Sequence, residues 1–280
     1  MSTPPPTEGG YQLWWYYPSM AGNIIFAVLF GICTIAHLTG LFMNRLWICV
    51  PLVVGGLLEI IGYGVRAYAN SKTDTVALYA AQSVLILLAP ILFAASVYMY
   101  LGRLMLATNT TSLSPIPTKW LTKLFVIGDA LCFIIQAIGG GMQSLKSLAD
   151  KQYIAEYVIL AGLILQIIFF GIFCVVAVMV HKRMAAKGVD DRAIAWRRML
   201  KVLYAVSVLI TLRNIFRVIE YGMGTDGYLL QNEWPGFVFD GALMVVALIV
   251  SLAWYVGRGS KLNARYDSVS STKELKPAQV

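Results

Sequence analysis

The stretch "TLRNIFRVIEYG" sets Arg213, Arg217 and Glu220 in a segment otherwise rich in Leu, Ile, Val and Phe. Spacings of four and then three project all three side chains from one face of an α-helix. Two guanidiniums and a carboxylate in one row either clamp neighbouring helices through ion pairs or hold the polar head of a substrate. Other groups of the same kind recur along the chain. Glu59 is followed on its helical face by Tyr63 and Arg66, and Asp240, Gln82 and Gln136 lie in three further apolar segments. Asp129 stands apart, with no basic residue obvious at its depth. Gln166 is the neutral partner expected for it.

These side chains matter because of the solvent around them. Of 280 residues, 59% are hydrophobic and 13% charged, whereas a soluble domain carries about a quarter charged residues. Apolar runs long enough to cross ~30 Å of hydrocarbon fall at roughly 22–43, 46–67, 76–101, 119–140, 155–180, 199–219 and 236–257. The expected fold is an all-α membrane protein, a single bundle of seven transmembrane helices. Residues 1–21 form an N-terminal segment, 22–257 the transmembrane domain, and 258–280 a basic, Ser-containing tail.

The net charge of +8 would suggest nucleic acid in a soluble protein, but its distribution argues for topology instead. Sixteen Lys or Arg lie in alternate loops and the tail, and four, Arg66, Lys72, Lys146 and Lys151, lie on the opposite side. Basic loops stay in the cytosol, so the N-terminus is expected outside and the C-terminus inside. Nucleic acid is not an expected partner. Asn109 opens an N-x-Thr sequon in a loop this topology makes cytosolic.

Depth arithmetic gathers the polar groups at one level. Counted at 1.5 Å per residue, Arg213 lies ~21 Å up the sixth segment, Glu59 ~20 Å up the second and Asp129 ~14 Å up the fourth. Each central Arg costs ~2.5–3.5 kcal/mol on an insertion scale, and each Leu, Ile, Val or Phe returns ~0.3–0.6. Two arginines in one segment therefore leave insertion marginal without partners. Three cations (Arg66, Arg213, Arg217) against three anions (Glu59, Glu220, Asp240) predict a closed polar cluster facing the bundle interior. Asp129 either binds a cation, relays a proton or hydrogen-bonds a neighbouring helix. His37 is expected to be packed and hydrogen-bonded rather than a ligand. Pro90 should kink the third helix and free a carbonyl, and "GGGM" at 139–142 should break the fourth. Trp14, Trp15, Tyr16, Tyr17, Trp234 and Phe237 crowd the outer rim, and most of them read as interfacial anchors.

Several classes are argued against. The seventh segment holds no lysine for a retinal Schiff base, and two histidines are too few for a metallohydrolase. No phosphate-binding G-x-x-x-x-G-K-[ST] loop occurs. "YLGRLM" and "LAWYVGRG" stand where a rhodopsin-like receptor carries its signatures. Neither an enzyme nor a cofactor is expected.

The order and spacing of "YYPSMAGNIIFAVLFG", "EIIGYGVR", "AAQSVLILLAPILFAASVYMYLGR", "GDALCFIIQAIGGGM", "AGLILQIIFFGIF" and "RNIFRVIEYGMGTDGYLLQNEWPGFVFDGALM" resemble the RTA-like family of fungal membrane proteins, the lipid-translocating exporter group named for resistance to aminocholesterol. The resemblance covers nearly all seven helices. The polar residues above, from Glu59 to Asp240 and including Glu233, coincide with the family pattern. It implies movement, or assisted movement, of an amphipathic lipid such as a sphingoid base or sterol-like amphiphile, with resistance to toxic amphiphiles. The partner implied is a membrane lipid or amphipathic small molecule, in the plasma membrane or else a vacuolar or endoplasmic reticulum membrane. The alternative is a seven-helix receptor-like or regulatory protein that senses lipid or stress, with cytosolic regulatory partners at its basic third inner loop and tail.

Overall fold

A computed structural model of the chain describes residues 14, 16–143, 152–191, 195–224 and 227–255. The tail from 258 and the side chain of Trp15 lie outside the described residues. Among the described residues, seven helices are long and apolar enough to cross a membrane. They are α1 (Met20–Asn44), α2 (Val50–Tyr68), α3 (Val76–Ala107), α4 (Thr118–Gln143), α5 (Gln152–Ala186), α6 (Trp196–Gly222) and α7 (Trp234–Trp254). The protein is an all-α integral membrane protein, as its apolar runs predict. At 32 and 35 residues, α3 and α5 are ~48 and ~53 Å long, so both carry polar ends beyond the hydrocarbon.

Local chemistry accounts for the ends. Ser19 caps α1, its Oγ accepting from the Gly22 amide at 3.2 Å, and Pro51 sits in the first turn of α2, where no N–H is needed. Apolar stripes face outward at helical spacing: Ile25, Val28, Ile32 and Ile35 on α1, and Ile127, Leu131, Ile134 and Ile138 on α4 are all exposed. In water such stripes would be a liability, but in lipid they are the matching surface.

Each helix packs on its sequence neighbours, α7 closes back onto α1, and α3 also touches α5 and α6. The third helix is thus the centre of the ring, with 67% of its apolar window buried against 28% for α1. Tyr98, Phe125, Phe170 and Phe173 make the aromatic centre between α3, α4 and α5. Glycines set the closest approaches: a Cβ at Gly139 would lie 2.6 Å from Ile159 Cγ1, and one at Gly162 2.8 Å from Gln136 Cγ. The seam between α4 and α5 is therefore tight.

One expectation about helix breaks needs correction. The "GGGM" run does not interrupt α4, which continues to Gln143. An unpaired backbone is costly at this depth, and Gly139 is used for packing instead. Pro90 lies inside a helix that continues to Ala107. The carbonyl it frees is that of Ile86, four residues earlier.

Candidate functional site

Arg213, Arg217 and Glu220 share the inner face of α6, and α7 brings Asp240 to them. Arg213, 1% exposed, donates from Nε to Asp240 Oδ1 at 2.6 Å and from Nη2 to the carbonyl of Ile86 at 3.3 Å. That carbonyl lies four residues before Pro90, which has no N–H to offer it. Arg217 donates to Asp240 Oδ2 through Nη2 and to Glu220 Oε2 through Nη1, the latter at 2.8 Å. Both Asp240 oxygens are thus met by guanidiniums. Asp240 reaches them from a π-helical turn, Phe237–Ala242, a wide-turn insertion that is rare and concentrated at functional sites.

A second group is tied to the first across a small cavity. Arg66 on α2 donates from Nε to Glu233 Oε1 at 3.4 Å, from Nη1 to Gln82 Oε1 at 3.3 Å, and from Nη2 to the Tyr16 hydroxyl. Glu233, just ahead of α7, also accepts from Asn23 Nδ2 at 3.0 Å and from the Ser19 amide at 2.7 Å. Asn70 donates to the Pro18 carbonyl at 2.6 Å. Residues 14 and 16–19 are thereby strapped over this end of the bundle, with the Trp14 ring 5.6 Å from the Arg66 guanidinium and packed edge-on against Tyr79. Burial raises the Tyr16 phenol above its ordinary value, while Arg66 beside it pulls the other way.

Between the two groups is a chamber of about 80 Å³, lined among others by Tyr16, Tyr63, Arg66, Arg217, Glu220 and Asp240. It has room for a few waters or a small polar head. Ions of both signs and several hydroxyls face it, so it offers donors and acceptors for a zwitterionic, cationic or hydroxylated group.

The structure places the sequence candidates in four environments. Arg66, Gln82, Arg213, Arg217, Glu220 and Asp240 come together at the chamber. Three cations are ion-paired with three anions there, as the counting anticipates, but Glu233 rather than Glu59 completes the set. Glu59 is 1% exposed, has no ion pair among the described residues, and its Oε2 has no hydrogen-bond partner. The charges of Asp240, Arg213 and Arg217 all act on it. Gln166 is not the partner of Asp129. It accepts from Gln136 Nε2 at 2.8 Å, while Asp129 Oδ2 accepts from the Tyr98 hydroxyl at 2.7 Å, in the aromatic centre of the bundle. His37 is packed and bonded, its Nε2 2.9 Å from the Leu248 carbonyl and its Nδ1 3.2 Å from the Tyr255 hydroxyl.

Depth counting passed over Glu233 because it precedes the apolar run of α7, and over Tyr98 because a tyrosine in an apolar run reads as packing. Trp14 and Tyr16 are not lipid anchors but part of the strap. Two signals mark Glu233: its coincidence with the RTA-like pattern, and its place beside Trp234 and Pro235 at a helix start, where a carboxylate is favoured.

Known proteins sharpen the picture. The family described as RTA1 like protein matches residues 52–262. In Saccharomyces cerevisiae the chain is similar to Protein RTA1, 30% identical over 87% of this chain and 84% of the relative. It is 32% identical to Protoporphyrin uptake protein 1, over 90% of this chain and 93% of the relative. It is 23% identical to Sphingoid long-chain base transporter RSB1, over 86% of this chain and 72% of the relative. No solved structure matches the chain. A match that runs from α2 through α7, and so takes in every ionised residue of the cluster, means that the chain belongs to the RTA1-like protein family.

Proposed function

We propose that the protein moves an amphipathic lipid between leaflets, receiving its polar head in the chamber beneath the N-terminal strap. The carrying observation is a small, charge-lined cavity at one end of a bundle whose outer faces are apolar. A relative named for sphingoid long-chain base transport supports a head with an ammonium and hydroxyls. Glu220 meets that ammonium. Its carboxylate lines the chamber and, among the described residues, is held through Arg217, which can transfer fully to Asp240. Arg213, fixed by Asp240 and the Ile86 carbonyl, stays in place. Glu59 and Asp129 do not line the chamber. The basic loops support an orientation with the strap and chamber outside, and the plasma membrane is the proposed location.

The test is translocation of a labelled sphingoid base in proteoliposomes. Purified protein is expected to speed it. Glu220→Gln should slow it by roughly 10-fold or more, since a hydrogen bond to a charged group is worth about 1.5–3 kcal/mol. Rates equal to protein-free liposomes overturn the reading, and binding without translocation makes the protein a sensor.

A further inference from the structure

The chamber that receives the head has an apolar neighbour, and the geometry points to it as a lateral portal between α3 and α4 that takes the hydrocarbon chain of the amphiphile directly from the bilayer. This rests on the proposed amphiphile function and adds where the chain runs.

The neighbouring cavity has a volume of about 150 Å³, larger than the polar one. Its walls come mainly from α3 and α4, with Ile159 of α5 and Tyr221 of α6 at the back. Tyr79, Ser83, Leu87 and Tyr221 line both cavities, so head space and chain space adjoin along these side chains. The outer rim opens to the bundle surface: Val84, Ala137 and Gly141 are all lining residues and all exposed. Facing them inside is Gln136, 2% exposed and held by Gln166, which closes the floor.

The contrast between the two faces of α4 explains why an opening forms here. On the α5 side, Gly139 and Gly128 are filled by Ile159 and Phe169, so an added Cβ would stand 2.6 and 2.9 Å from them. On the cavity side, a Cβ at Gly141 would meet nothing within 4 Å. Small residues therefore draw α4 onto α5 and leave room towards α3. The occupant must be apolar on its outer side and continuous with a polar head on its inner side. A single hydrocarbon chain attached to the head in the polar chamber meets both conditions. A soluble ligand meets neither, because the mouth faces lipid.

The experiment uses a sphingoid base with a photoactivatable diazirine in mid-chain, added to the full-length protein in phosphatidylcholine vesicles. Labelling is expected in peptides of α3 and α4 around Val84, Phe133 and Ala137. Ala137→Trp, at an exposed position, should cut this labelling about tenfold, the loss expected when two or so methylenes lose their burial. Competition by a short-chain analogue, whose head still binds, should be unchanged in that variant. Labelling of the protein at another helix seam, with translocation intact, overturns the portal and leaves the transport function standing. Absence of specific labelling together with absence of translocation overturns both.

Discussion

Arg213 Nη2 donates to the Ile86 carbonyl at 3.3 Å, so a buried cation on α6 satisfies the oxygen that Pro90 leaves unbonded in α3. A proline inside a membrane helix and an arginine inside another each carry a cost, and here each reduces the cost of the other. The same guanidinium holds Asp240, which ties the central helix to α6 and α7 at one point.

This relation predicts a coupling. Arg213→Gln should lower stability by about 3–5 kcal/mol, since it leaves Asp240 half-paired in a buried site. In a Pro90→Ala background the loss should be smaller by about 1 kcal/mol, because the backbone amide restored at position 90 satisfies the Ile86 carbonyl without help. A double-mutant cycle by thermal unfolding in detergent measures it, and additive losses would show that the two sites do not communicate.

Asp240 and Glu59 should behave differently although both are buried carboxylates. Asp240→Asn removes the charge that two arginines share and should cost about 3–5 kcal/mol. Glu59→Gln breaks no ion pair among the described residues and should change stability by no more than about 1 kcal/mol. Unfolding midpoints of the two variants side by side decide it. Equal losses would place Glu59 inside the paired set.

The strap carries a pH signature. Burial raises the Tyr16 phenol above 10.0, with Arg66 opposing. A group that is neutral when docked and ionises more readily when released favours the docked strap at neutral pH, and that preference is lost as pH rises past 10.0. The difference in tyrosinate absorbance between wild type and Tyr16→Phe should therefore titrate above this value. A midpoint at or below it would mean that the strap does not shield the phenol.

The two sides of α4 give a packing test. Gly139→Ala forces a Cβ to within 2.6 Å of Ile159 and 3.0 Å of the Ala155 carbonyl, and should destabilise by about 1–3 kcal/mol. Gly141→Ala meets open space and should be neutral or stabilising by up to about 1 kcal/mol through helix propensity. Thermal unfolding of the pair separates the tight seam from the loose one.

How much of this was legible beforehand depended on what each inference required. Depth along a helix needs only a start point and a rise per residue, so the convergence of Arg66, Arg213, Arg217, Glu220 and Asp240 on one level could be read directly. Direction around the axis is another matter. The periodicity put Arg66 and Glu59 on one face of α2, yet Arg66 turns to Glu233, a residue outside the apolar run of α7. Gln136 and Gln166 illustrate the same limit: both depths were known, but which neighbour each met was not, and they bond each other.

The amino-acid sequence alone determined that this chain lies in a bilayer as seven helices, and that its ionised residues must neutralise one another inside. Lipid cannot hydrogen-bond a backbone or solvate a charge, and run length and charge count are therefore sufficient for those conclusions. Only the tertiary structure decided which acid meets which base. That choice turns on ångström-scale placement of helices set by the glycine seams, by the π-helical turn that swings Asp240 towards α6, and by the carbonyl that Pro90 exposes. Side chains far apart in the chain settle these distances jointly, and no local pattern records them.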